Sequence, residues 1–341
     1  MEQKLRDAAE IALQLAETLA NLADEAATLA IPEPDPAPPI NGLLGMAIPD
    51  GELLAGGDAW LDRLADLGAK VVRFDIRLGS VMSSSGAFNW TNTDRLVNGL
   101  TLRGIKVLGL LNAAASEVNT ATGRARFRTF AEAAVRRYAD RVEWWEILNE
   151  ANHTALTPVQ YADLLKAVYP AIKAIHPQST VLYVGNASIP STTGASVQGA
   201  EDYLTRVYAA GGGAFFDAVA HHPYQYPLLF NRTDAWTGLG IMNGLRRIMN
   251  ANGDQAKLIW ITEAGAPTSG GSQAVSQAAQ ADTLRQLVDI ARAPNSGLGV
   301  ICWYSLRDRP TGTTTETFFG IEAANGTPKP AAAVFRELAG A

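Results

Sequence analysis

Leu67-Gly68-Ala69-Lys70-Val71-Val72-Arg73-Phe74-Asp75-Ile76 marks a change of period. Residues 58–67 before the glycine repeat with helical spacing, and the run after it is apolar and β-branched. The change recurs at once. Residues 91–103 again have helical period, Gly104-Ile105 interrupts them, and Lys106-Val107-Leu108-Gly109-Leu110-Leu111 follows. Two short apolar runs joined through a helical segment read as parallel strands with a crossover helix.

Working outward from this unit, candidate strands fall at 43–48, 71–76, 106–111, 144–148, 180–184, 216–220, 258–262 and 300–304. Helical segments lie between them at 58–67, 91–103, 124–138, 158–175, 200–210 and 274–293, with another at 329–338. Eight alternations match a (β/α)8 TIM barrel, which takes about 250 residues. A doubly wound sheet is the rival, but no Gly-x-Gly-x-x-Gly follows the first strand. The expected fold is therefore α/β, a single barrel over 40–341 with a helical extension before it.

That extension has its own chemistry. Leu5, Ala8, Ala12, Leu15, Leu19, Leu22, Ala26 and Leu29 make an apolar stripe over residues 1–30, with charges such as Glu2, Asp7, Glu17 and Asp24 interspersed. It reads as an amphipathic helix packed against the main domain, with a docking or oligomerisation arm as the other reading. The interspersed charges do not fit a secretory signal. Residues 31–39, Ile-Pro-Glu-Pro-Asp-Pro-Ala-Pro-Pro, read as a stiff linker.

Composition narrows the function. The 341 residues carry 28 Lys plus Arg against 34 Asp plus Glu, a net charge of −6. Without a basic block the chain lacks the means to displace counterions from phosphates, so no nucleic-acid partner is expected. Hydrophobic residues make up 47%, enough for a large core, yet no apolar run reaches the ~18 residues of a membrane helix. One cysteine, Cys302, excludes internal disulfides and multi-cysteine metal sites, and reads as an inert buried side chain. Four histidines make a His-rich centre unexpected, so neither metal nor cofactor is anticipated.

In a (β/α)8 barrel the catalytic groups stand at the carboxyl ends of the strands. Those ends carry Arg73-Phe74-Asp75, Trp145-Glu146-Ile147-Leu148-Asn149-Glu150, His221-His222-Pro223-Tyr224, Trp260-Ile261-Thr262-Glu263 and Cys302-Trp303-Tyr304. Glu150 and Glu263 thus face each other across one mouth. Glycoside hydrolysis needs such a pair, one carboxyl protonated and one ionised. Asn, Arg, His, Tyr and Trp around them suit sugar hydroxyls and sugar faces. Asp75 either binds substrate or satisfies barrel backbone, and His221 reads as structural because it alternates with His222.

Asn149-Glu150 and Thr262-Glu263 resemble glycoside hydrolase clan A, the retaining (β/α)8 glycosidases. Within it the chain is most similar to family 39 β-xylosidases and related bacterial exopolysaccharide endo-glycosidases. Arg73-Phe74-Asp75, His222-Pro223-Tyr224, Trp260–Gly265, Trp303-Tyr304 and Phe319-Gly320-Ile321 before Pro328-Lys329-Pro330 carry the resemblance, over about residues 40–338. It implies Glu150 as acid/base, raised by apolar neighbours, and Glu263 as nucleophile, held ionised by Arg73 and Tyr224. It further implies Asn149 on the 2-hydroxyl, and His222 and Trp303 lining the −1 subsite with Trp303 as stacking floor.

The resemblance implies a carbohydrate substrate, a monomer or weak oligomer, and relatives that are secreted or periplasmic. The chain departs from the family at Leu148 and Ala151, where Trp and Pro are usual. It departs again at Arg77-Leu78-Gly79 and at Asn112-Ala113-Ala114-Ala115-Ser116. Small apolar residues neither stack on sugars nor anchor hydroxyls. These departures support a second reading, a remodelled or engineered glycosidase-like barrel that binds or transforms a non-glycan ligand.

Overall fold

The computed structural model describes residues 41–190 and 198–340, together with Gln14 and Thr18. Thr18 Oγ1 donates to the carbonyl of Gln14 at 2.8 Å, one helical turn back. The rest of the helix expected over 1–30, and the linker over 31–39, lie outside the described residues.

Eight strands close a parallel barrel in chain order: β1 (Leu44–Ala47), β2 (Val71–Arg77), β3 (Lys106–Asn112), β4 (Trp144–Ile147), β5 (Thr180–Ala187), β6 (Ala218–His222), β7 (Ile259–Ala264) and β8 (Leu298–Trp303). β1 pairs with both β2 and β8, which closes the ring. Each expected run forms a strand, with ends moved by up to three residues. Because helices cover the sheet from outside and side chains fill it from inside, these strands are buried on both faces. That burial is why they read as unbroken apolar runs. Trp145, Trp260 and Trp303 are among the large side chains fully enclosed.

Among the described residues, three α-helices lie outside the expected segments: the single turns Leu78–Val81 and Ala115–Val118, and the longer Gly238–Ala251. Gly238, Gly240 and Gly244 weaken the pattern of the longest, each costing about 1 kcal/mol against Ala. The glycines are there for contact. A Cβ on Gly240 would lie 1.9 Å from the Asp234 carbonyl oxygen, and one on Gly244 would lie 1.6 Å from Glu201 Oε1.

After β8 the chain returns across the barrel mouth as a strap before its last helix, Pro330–Ala339. Glu322 bridges Arg63 at 2.6 Å and Arg307 at 2.7 Å. Lys329 Nζ donates to Asp308 Oδ1 at 2.7 Å and Thr268 Oγ1 at 2.8 Å, joining the loops after β7 and β8. Asp308 also accepts the Gly320 N–H, which positions Phe319 beside it in the chain.

Lys329 and Asp308 are both buried. Removing one member of a buried pair strands the other's charge, so Lys329→Met should cost about 3–5 kcal/mol of unfolding free energy. Urea denaturation measures this; a loss below about 1 kcal/mol, the scale of an exposed pair, would contradict the placement.

Candidate active site

A cleft of about 740 Å³ opens at the carboxyl ends of the strands. Arg73 and Asp75 reach it from β2, Asn149 and Glu150 from the end of β4, Tyr224 from beyond β6, and Glu263 from β7. One oxygen of Glu150, one of Glu263 and a ring nitrogen of His222 lie within 4.8 Å of one another.

Local backbone sets this convergence. β4 ends at Ile147, and both Leu148 (φ 65°) and Glu150 (φ 43°) then adopt the left-handed region, uncommon for residues with a Cβ. The Glu150 N–H donates to the Gly185 carbonyl at 3.0 Å, which fixes the turn against β5. Leu148 is buried.

Arg73 organises the floor. Its guanidinium donates from Nη1 to Glu263 Oε1 (2.6 Å) and from Nη2 to Asn149 Oδ1 (2.7 Å). It also grips Glu146 twice, from Nε at 2.6 Å and from Nη2 at 3.0 Å. Burial disfavours the arginine's charge, but Glu146 and Glu263 outweigh it and hold the group protonated. Tyr224 donates to Glu263 Oε2 at 2.9 Å, and its own proton is held by burial and by the Glu263 charge.

Glu150 differs from expectation. Burial pushes its carboxyl up, yet the hydrogen bond and charge of His222, with His153 and Arg73, outweigh burial and hold it below the usual value. His222 Nδ1 lies 3.0 Å from Glu150 Oε1. Burial alone would lower the imidazole, but Glu263 and Glu150 hold it above its usual value. The two shifts run in opposite directions, each caused in part by the other group. Apolar neighbours alone suggested a raised Glu150; the adjacent histidine reverses the sign.

Two expected lining residues sit elsewhere. His222 is fully buried behind Glu150, and Trp303 is fully buried in the hydrophobic core with its indole N–H unpartnered. β8 ends at Trp303, so the next residue, Tyr304, is the one that reaches the cleft. Asp75 accepts from Asn112 Nδ2 at 2.6 Å and from Arg77 at 2.9 Å, and burial raises its carboxyl. His221 is buried beside Ser188, and burial lowers it to about 3. Cys302 is buried as well, and burial raises its thiol.

Of the aromatic wall, the sequence pointed to Tyr224 alone as a site residue; Tyr304 and Phe319 carried no role, and Tyr226 went unnamed. Phe319 packs edge-on against Tyr224 (5.7 Å), Tyr226 (5.4 Å) and Tyr304 (5.5 Å), and all four face the cleft. Sequence reasoning also passed over Glu146, quoted only as part of a strand. A charge inside an otherwise apolar strand is the signal, because such residues are buried only when paired. Arg73 and Glu146 carry that signal on β2 and β4, the strands on either side of β3. The alanines after β3 do not fill the cleft. Ala113 and Ala114 line a separate hollow of about 310 Å³ that shares Arg77 and Asn112 with it.

Among the described residues, Glu150, His222 and Glu263 are the group close enough to share a metal ion. The hydrogen bonds above already engage each of them. No helix among these residues is long and apolar enough to cross a membrane.

No family profile matches the chain, and no curated protein matches it. Solved structures do. A family 39 glycoside hydrolase from Bacteroides cellulosilyticus WH2 superposes with a TM-score of 0.69 at 21% identity, over 88% of this chain and 63% of that one. The chain thus spans under two thirds of that protein's length. A monomeric β-xylosidase from Caulobacter crescentus CB15 gives 0.64 at 21%, covering 89% and 69%. An intracellular xylanase from Thermoanaerobacterium saccharolyticum gives 0.62 at 13%, covering 86% and 94%. The chain has the (β/α)8 barrel fold found in glycoside hydrolases of families 39, 5 and 10.

Proposed function

We propose that the cleft hydrolyses β-glycosidic bonds of an oligo- or polysaccharide with retention of configuration, using Glu263 as nucleophile and Glu150 as acid/base. The observation that carries this is the unequal treatment of two facing carboxyls. Glu263 receives a guanidinium and a phenol, while Glu150 is paired with an imidazole. One oxygen of each lies within 4.8 Å of the other, an approach that suits the ~5–5.5 Å carboxyl spacing of retaining enzymes.

Glu263 attacks the anomeric carbon while Glu150 delivers a proton to the departing oxygen, leaving a glycosyl ester on Glu263. Water then attacks that ester with Glu150 as base. A sugar covering the cleft strips water from Glu150 and favours its neutral form, so the proton passes from His222 Nδ1 to Glu150 Oε1. Arg73 occupies Asn149 Oδ1 and thereby leaves the amide Nδ2 as donor for a 2-hydroxyl. The open cleft has room for a carbohydrate chain, which counts against a barrel closed by its own side chains. The glycosidase relatives found by structure support the same class of substrate.

A panel of aryl β-glycosides and β-linked oligosaccharides tests this. Glu263→Ala should abolish turnover, and Glu150→Ala should lower it about 10²–10⁴-fold. The second loss should be greater for oligosaccharides, whose leaving groups need a proton. No turnover of any glycoside by the wild type would refute the proposal.

The pH profile offers a second check. His222 carries the pair's proton and is raised above the usual imidazole value, so activity should fall on the alkaline side as His222 deprotonates. His222→Gln leaves Glu150 to hold the proton alone, and the alkaline limb of kcat/KM should move to lower pH. An unmoved limb would show that His222 does not store the proton.

A further inference from the structure

Glu146 is fully buried in the middle of β4, away from the cleft lining. Every bond to its carboxylate leads toward the site. Oε2 accepts from Arg73 Nε at 2.6 Å, and Oε1 accepts from Arg73 Nη2 at 3.0 Å and from the Gly185 N–H at 3.0 Å. Thr262 Oγ1 also donates to Oε1, at 3.4 Å. Thr262 Oγ1 lies 3.1 Å from His222 Nε2, whose other nitrogen holds Glu150. Two chains therefore start at one carboxylate. One runs through Arg73 to Glu263 and Asn149, the other through Thr262 and His222 to Glu150. Gly185 closes the junction: a Cβ there would lie 2.3 Å from His222 Nε2, 2.7 Å from Glu146 Oε1 and 2.8 Å from Thr262 Oγ1.

We propose that Glu146 is the positioning residue common to both arms of the site, orienting Glu263 and Asn149 through Arg73 and Glu150 through Thr262 and His222. This rests on the roles proposed above for the two outer glutamates. The residue touches no substrate. Its effect on Glu263 is electrostatic as well as geometric. A buried guanidinium facing Glu263 alone would overstabilise that carboxylate and blunt its attack; Glu146 neutralises most of the arginine's charge and leaves Glu263 reactive. It also fixes the Thr262 hydroxyl that meets His222 Nε2. The other groups that titrate around it are Tyr161 and Cys302, both held protonated by burial, and His221, held neutral by burial and by the charge of His222. Arg73, Glu150, His222 and Glu263 thus carry the coupling.

The test compares Glu146→Gln and Thr262→Val with wild type in kinetics, pH profiles and an NMR titration of the His222 imidazole. In Glu146→Gln, kcat should fall about 100-fold, the scale of a misplaced catalytic group, with KM changed only a few-fold. The alkaline limb should move to lower pH, and the His222 midpoint should fall. Thr262→Val cuts only the second chain, so the alkaline limb and the His222 midpoint should fall while kcat falls less than in Glu146→Gln. A folded Glu146→Gln that keeps its kcat, its alkaline limb and the His222 midpoint would overturn the inference. Should Glu146→Gln not fold, an unmoved alkaline limb and midpoint in Thr262→Val would overturn it. A wild type that cleaves no glycoside, with the His222 midpoint still lowered in Glu146→Gln, would refute the proposed function and leave the Glu146 junction standing.

Discussion

An arginine inside a barrel is the constraint on which this site depends. Arg73 is 4% exposed, and a guanidinium so placed destabilises the fold unless its charge and its N–H groups are met. It has five donors in a planar fork. Glu146 takes two contacts and Glu263 and Asn149 take one each, so the groups that satisfy the arginine are also those that define the cleft floor. Stability and site geometry are the same set of bonds.

The surrounding structure holds this set rigid. β2 supplies Arg73, β4 supplies Glu146, and β7 supplies Thr262 and Glu263, so barrel closure fixes their mutual distances. The strap after β8, tied by Lys329 and Glu322, presses Phe319 against three tyrosines and builds one wall. Proton storage follows from the same economy of charge. With Arg73 neutralised by carboxylates, the remaining charge of Glu150 and Glu263 falls on His222 and holds it above its usual value.

Much of this was legible in the sequence, and the losses have physical reasons. The strands were visible because both faces are buried, so each reads as a continuous apolar run. The helix at Gly238–Ala251 was obscured because its glycines answer to tertiary contact with Asp234 and Glu201 rather than to helix propensity. Glu150, Glu263, Arg73, Asn149 and Tyr224 were named from strand ends, and the structure brings them to one cleft. Trp303 was misplaced by one position: where a strand ends decides which of two adjacent aromatic residues reaches the opening. The sign of the Glu150 shift depends on a histidine 72 positions away, which no local pattern reveals.

The central claim is that Glu263 forms a covalent bond to sugar. Incubation with 2-deoxy-2-fluoroglycosyl fluorides of β-configuration, followed by proteolysis and mass spectrometry, tests it most directly. The account predicts one glycosyl unit per chain, carried on the peptide containing Glu263 and lost in Glu263→Ala. A label on another carboxylate, or hydrolysis of β-glycosides with inversion and no label, would contradict it.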